Sequence, residues 1–371
     1  MKKLLIFIIC IAMLIMPLTV RADNNYAECV YHCMSGKIVA ENNSAERFSV
    51  AGLARLPALI IIAEAVESGE LPLDKEITVS KKAASISGST AFIKAGELIT
   101  AEKLFKSAAM ICAGDATYAL GEAVAGSNDA FCERVNSMLS DMGIDASYTN
   151  INDDTPLSAK DLAMLGARLS KCKEYLKYSS VYMDSITHET GTETELVNSN
   201  RLIKTLSGCR GLVTGSSASS NYCGVFYVSR NSYDYIAVVT GAKNSQERFA
   251  KATDLLETAY AGYKQTVIAE KGDTLMYDYP IKGAMLKSCE IVAANDAAIL
   301  ADSSQGEPQC SYNMPDTLTA PVKAGDIVGN AVYSDSNGNV ICTVELTVKN
   351  DIDQARFFDF FLYVLFDRIS K

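Results

Sequence analysis

Hydrophobic and polar positions along the chain fall into two periods that separate helices from strands. Residues Cys29 to Ala40 alternate, which predicts two strands joined by a turn at Met34-Ser35-Gly36-Lys37. From Leu53 to Glu67 the period changes. Leu56, Leu59, Ile60, Ala63 and Val66 recur at three- and four-residue steps, predicting a helix ended by Gly69. Pro57 interrupts that pattern. A proline is comfortable in a helix's first turn but costs about 3 kcal/mol deeper inside, so the helix begins near Leu56 or bends there. Further helices are expected at Thr100–Ala109, Ala113–Val124, Asn128–Met142 and Ser158–Ser170. Asn128 and Ser158 are the expected N-caps, and Asp161, three residues after Ser158, brings that end close to a capping box.

Strands follow at Gly211–Gly215, Cys223–Ser229 and Ile236–Gly241, then a helix at Ser245–Tyr260. Helices enclosed between early and late strands indicate an α+β domain, with a helical cluster packed on an antiparallel sheet. From about Lys264 the texture changes to short alternating runs, Ile281–Leu286, Glu290–Ala294, Ile327–Tyr333 and Val340–Val348, with Gly, Asn, Asp and Pro between them. Asp335-Ser336-Asn337-Gly338-Asn339 reads as a hairpin turn. This is a small all-β domain. The division expected is 1–22, 23–262, 263–349 and 350–371.

The two ends carry their own signals. Met1-Lys2-Lys3, the apolar run Leu4 to Met16, and Val20-Arg21-Ala22 before Asp23 have the charge, length and small-residue cleavage site of a secretory signal peptide. The expectation is export to an extracytoplasmic location. Residues 357–366, Phe357-Phe358-Asp359-Phe360-Phe361-Leu362-Tyr363-Val364-Leu365-Phe366, are too few to span a bilayer. Asp359, Tyr363 and Asp367 would form a narrow polar stripe on a helix, which suits contact with a membrane surface or docking on a partner or on the β domain.

The net charge is −10, with no Trp and no basic patch. Nucleic-acid binding is excluded on that ground, because phosphate contacts need clustered Lys and Arg. Of the 11 cysteines one, Cys10, lies in the leader. The ten that remain permit disulfides in an exported protein or buried free thiols, and sequence does not choose between them. Cys29-Val30-Tyr31-His32-Cys33 has the look of a metal cluster. In a strand, however, Cys29 and Cys33 share one face and His32 takes the other, and no second ligand pair stands at a suitable spacing. No metal or cofactor is expected.

Several segments, in order, resemble the low-molecular-weight penicillin-binding proteins, the serine D-alanyl-D-alanine carboxypeptidases. These are Met34-Ser35-Gly36-Lys37-Ile38-Val39, Ile93-Lys94-Ala95-Gly96-Glu97, Gly114-Asp115-Ala116, Ala125-Gly126-Ser127-Asn128-Asp129-Ala130-Phe131, Ser158-Ala159-Lys160-Asp161-Leu162-Ala163, Asn198-Ser199-Asn200-Arg201-Leu202 and 320–329. The resemblance covers about residues 25 to 349. It implies a penicillin-binding, β-lactamase-like transpeptidase fold followed by a β-rich companion domain.

That family's mechanism uses S-x-x-K, S-x-N and K-T-G. Serine attacks a carbonyl, and lysine, one helical turn later, takes its proton. The resemblance places Gly52 at the nucleophile and Arg55 at the lysine, Cys112 and Gly114 in the second set, and Val213 ahead of Thr214 and Gly215 in the third. Glycine offers no attacking oxygen, and a guanidinium stays protonated and cannot act as a base. Two literal matches elsewhere, Ser170-Lys171-Cys172-Lys173 and Ser311-Tyr312-Asn313, fall outside the aligned positions and are decoys. The expectation is therefore a catalytically inactive relative at the cell envelope. It would bind a peptidoglycan stem peptide through Thr214, Gly215, Asn200 and Arg201, or an envelope protein. The alternatives are a working carboxypeptidase with an unconventional nucleophile such as Cys112, and a scaffold with no muropeptide affinity.

Overall fold

The computed structural model describes residues 26–231, 233–301, 308–335 and 338–356. The expected signal peptide lies outside them, as does residue 357 onward of the expected C-terminal helix.

Five antiparallel strands form the central sheet of the first domain: β1 (Ala27–His32), β2 (Lys37–Asn42), β3 (Cys209–Ser217), β4 (Asn221–Arg230) and β5 (Tyr233–Ala242). Their spatial order is β2-β1-β5-β4-β3, so the first strand closes against the last and β3 forms an edge. Alternation along β1 explains its burial. Cys29 joins the core beneath the helical cluster, and Val30 joins the core on the other face. His32 is also on that second face, its ring tilted against Tyr235 at 5.1 Å between centroids. Cys33 lies beyond the strand end and packs with the first core.

The helices of that cluster follow the apolar periods. Residues Ala51–Arg55 form a 3-10 turn, and helix α1 then runs Leu56–Glu67 with Pro57 in its first turn, where its missing N–H costs nothing. Helices α2 (Ala101–Ile111), α3 (Gly114–Ala125), α4 (Asn128–Asp141), α5 (Ala159–Leu169) and α6 (Lys173–Ser179) complete it. Helix α7 (Ser245–Gly262) packs on the opposite face, together with the short helix Leu202–Thr205. The Ser158–Asp161 capping box is formed in both directions, at 3.0 and 3.1 Å. The expected cap at Asn128 is corrected: Ser127 caps α4 by accepting from Ala130 N. Asn128 holds the following loop instead, accepting from Ile151 N and donating to Thr149 O.

Residue Lys264 begins the β-rich domain. A two-stranded pair, Lys264–Ala269 with Ala297–Ala301, accompanies a six-stranded sheet that includes Thr274–Lys282, Ser288–Ala293, Gly329–Ser334 and Val340–Val348. Ile352 is buried in this domain and bridges Val322, so residues 350–352 belong to it rather than to a helix. All ten described cysteines are free thiols. Among the described residues no helix is long and apolar enough to cross a membrane, and no three His, Cys, Asp or Glu side chains are grouped to hold a metal ion.

Candidate functional site

A cleft of about 540 Å³ opens where the 3-10 turn, the α2–α3 junction and edge strand β3 meet. It brings together Gly52, Arg55, Cys112, Thr214 and Gly215, which lie far apart in sequence. Their approach depends on glycine. A Cβ on Gly215 would come within 2.9 Å of Gly52 N, so any side chain there would push the strand off the turn.

Arg55 ends the 3-10 turn and points across the cleft floor. Its Nε donates to Asn152 Oδ1 at 2.6 Å, and its Nη1 donates to the Cys112 carbonyl at 3.1 Å. Cys112 caps α2 in the left-handed region, at φ 52°. The Cys112 Sγ lies 3.8 Å from Arg55 Nη1 and donates to Gly52 O at 3.3 Å. These partners of Arg55 are neutral acceptors, so its positive charge meets no carboxylate through them. Gly114, first residue of α3, faces the same side chain: a Cβ there would lie 3.1 Å from Arg55 Nη2 and 3.0 Å from Asn152 Oδ1.

Asn152 was not singled out in the sequence. It reaches the cleft because its loop is fixed by Asx contacts: Asp153 Oδ2 accepts from Thr149 N and Asn150 N, and Asn150 Oδ1 accepts from Asn152 N. The only local signal is the density of Asn and Asp over residues 149–154, which marks a turn but not its address.

The rest of the predicted set divides. Thr214 lines the cleft and its Oγ1 hydrogen bonds Ser199 Oγ at 2.6 Å. Val213 does not line it; this residue is 2% exposed and packs in the core beneath the helices. Asn200 and Arg201 are corrections, since neither lines the cleft. Asn200 is fully buried and accepts from Leu202 N, whereas Arg201 is exposed at the start of a short helix. Asn198 and Asn200 point inward, leaving the intervening Ser199 to face the cleft. Ser49, three residues before Gly52, is turned away and donates to Asp154.

The decoys stay apart from this chemistry. Ser170 ends α5 and Cys172 precedes α6, so that Ser and Lys do not share a helical turn. Lys171 and Cys172 line a separate groove of about 710 Å³, in which Arg168 is already paired twice with Glu64. Ser311–Asn313 is exposed in the β-rich domain. Arg248, on α7, supports the cleft from behind: Nη1 donates to Gly215 O at 3.2 Å and Cys223 O at 2.9 Å. Burial lowers its pKa to about 10.

Chemically, the cleft offers one fixed cation, two carboxylates (Asp153 and Asp154), several hydroxyls and one thiol. Guanidinium does not accept a proton, so the arrangement suits hydrogen bonding and charge recognition.

A sheet backed by a long helix and covered by a helical cluster, with a cleft along its edge strand, is the architecture of the penicillin-interacting serine enzymes. The family profile described as D-alanyl-D-alanine carboxypeptidase matches residues 20–244, and that of the penicillin-binding protein 5 C-terminal domain matches 263–354. The chain belongs to this family of low-molecular-weight penicillin-binding proteins. It is 28% identical over 335 residues to D-alanyl-D-alanine carboxypeptidase DacF of Bacillus subtilis, covering 88% of this chain and 85% of that one. It is 26% identical over 340 residues to DacC of Escherichia coli, covering 87% and 83%. Among solved structures, penicillin-binding protein 5 of Haemophilus influenzae matches with a TM-score of 0.72 at 22% identity, over 88% of this chain and 97% of that one.

Proposed function

We propose that this chain is an exported member of the carboxypeptidase family that binds peptidoglycan stem peptides without forming an acyl-enzyme. The observation that carries this reading is the pair Gly52 and Arg55. At the positions that the resemblance assigns to nucleophile and base, one has no side chain and the other holds a permanent charge. Removing the nucleophile alone costs about a millionfold in a serine acyl-transfer enzyme. Cys112 and Gly114 replace the serine and asparagine of the second set and Val213 the lysine of the third, while Thr214 and Gly215 stay.

A second reading has Cys112 as the nucleophile, favoured by its Sγ lining the cleft close to Arg55. Against it, the thiol is engaged with Gly52 O and Arg55, and neither of these is a histidine or carboxylate that could take its proton. Incubation of the purified protein with a fluorescent penicillin, and with a peptide ending in D-Ala-D-Ala, tests both. The expected result is no covalent label and no released D-alanine. Turnover that disappears in Cys112→Ala would establish the second reading in place of the first.

A further inference from the structure

We infer that the cleft reads the free C-terminal carboxylate of an already trimmed stem peptide, in preference to the untrimmed D-Ala-D-Ala form. This inference rests on the proposed binding function and names its ligand class.

The geometry begins with Gly52. A side chain there would put its Cβ 3.3 Å from Arg55 Nη1 and 3.8 Å from Cys112 Sγ. Its absence leaves a space within hydrogen-bond reach of a guanidinium. In a carboxypeptidase the scissile carbonyl carbon comes to the nucleophile. Once the terminal residue has been removed, the same carbon bears a carboxylate. A trimmed peptide bound in the same register therefore directs a negatively charged oxygen at the space above Gly52. An untrimmed peptide presents a neutral amide there.

The charge beside Gly52 favours the first. Arg55 is the one basic residue among the described residues lining it. Its Nε and Nη1 are engaged by the neutral oxygens of Asn152 and Cys112, which fix its plane without neutralising it. Asp153 and Asp154 also line the cleft and keep their charge, since their hydrogen bonds come from neutral donors of their own loop and Ser49, so the preference rests on Arg55 standing at the space above Gly52. A charge-assisted hydrogen bond is about twice as strong as a neutral one, which corresponds to a preference of about fivefold to tenfold.

The test is calorimetric titration of the full chain, at low salt, with three N-acetylated peptides: one ending in a single D-alanine, its C-terminal amide, and the same peptide extended by a second D-alanine. The free acid is expected to bind about fivefold to tenfold tighter than the other two. In Arg55→Gln that preference should vanish through loss of acid affinity, and Arg55→Lys should keep part of it. The acid-to-amide ratio on the unmodified protein stands even where a variant folds poorly. Equal affinity for all three peptides would overturn the inference and leave the binding function standing. Absence of binding by all three would overturn both. Release of D-alanine from the extended peptide would also overturn both, because a nucleophile would then be reaching that carbonyl.

Discussion

The guanidinium of Arg55 occupies the room that a side chain at Gly114 would need, with Nη2 3.1 Å from where that Cβ would stand. The two positions are 59 residues apart in sequence yet share one volume. Gly114→Asn is therefore expected to displace Arg55 or strain α3, costing about 1–3 kcal/mol as overpacking does. Shortening the neighbour should relieve it, so Gly114→Asn with Arg55→Ala should cost less than the two single changes summed. Urea unfolding of the four proteins measures this. Strict additivity would mean that the side chains do not compete.

A hydroxyl at position 52 should not by itself be enough for acylation. Gly52→Ser places an oxygen beside Arg55, but a guanidinium has no free pair with which to take its proton. We expect Gly52→Ser to remain unlabelled by fluorescent penicillin on the timescale over which an active relative is fully labelled. Adding Arg55→Lys supplies an amine that can lose its proton, and slow labelling of that double variant is the expected contrast. Labelling of Gly52→Ser by itself would show that another group serves as base.

Much of the fold was legible because it rests on local chemistry. Ser158 and Asp161 announce a helix start three residues apart, and the structure closes both hydrogen bonds between them. Pro57 similarly limits where α1 can begin. The cleft was legible only in part. Arg55 and Asn152 are 97 residues apart, and no periodicity links them. Asn198, Ser199 and Asn200 alternate in direction, but the sequence does not say which face is the cleft; burial of both asparagines decides it. Asn128 and Ser127 are equally good caps by type. The choice falls on Ser127 because Asn128 is used by a loop more than twenty residues away. The pair Lys264–Ala269 and Ala297–Ala301 escaped notice because neither run stands out by alternation, and their pairing is long-range.

Thiol chemistry should divide sharply by burial. Desolvation pushes Cys29 and Cys33 up to about 12, and Cys132, Cys172 and Cys209 up to about 11. Only the thiolate reacts, and at pH 8 a thiol titrating near 11 is ionised to about one part in a thousand. Cys310 is exposed. Brief iodoacetamide treatment at pH 8, mapped by mass spectrometry, should modify Cys310 first and leave those five untouched. In denaturant all ten beyond Cys10 should react without a reductant, since the structure holds them free. A requirement for reductant would reveal a disulfide.

Acid should loosen one particular clasp. Glu97 and His188 are both buried, with Oε1 and Nδ1 2.7 Å apart, and His188 Nε2 meets Thr194 Oγ1 at 2.8 Å. This ties the segment before α2 to the hairpin Met183–Thr187 with Glu193–Val197. Burial by itself would raise the Glu97 pKa. Hydrogen bonds from Lys94 N, His188 and Glu189 N, with the attraction of His188, outweigh it and hold the carboxyl below its ordinary 4.5. A carboxyl whose folded pKa is depressed adds stability above its unfolded value. That stability fades as pH falls from 4.5 through the folded pKa, because the unfolded chain takes up the proton first. Glu97→Gln should thus cost about 1–3 kcal/mol at pH 7, and the gap to the unmodified protein should narrow steadily below pH 4.5. Urea unfolding at pH 7, 5, 4 and 3 follows it. A gap that stays constant down to pH 3 would mean that the charge on Glu97 contributes nothing and that only the shape of the side chain matters.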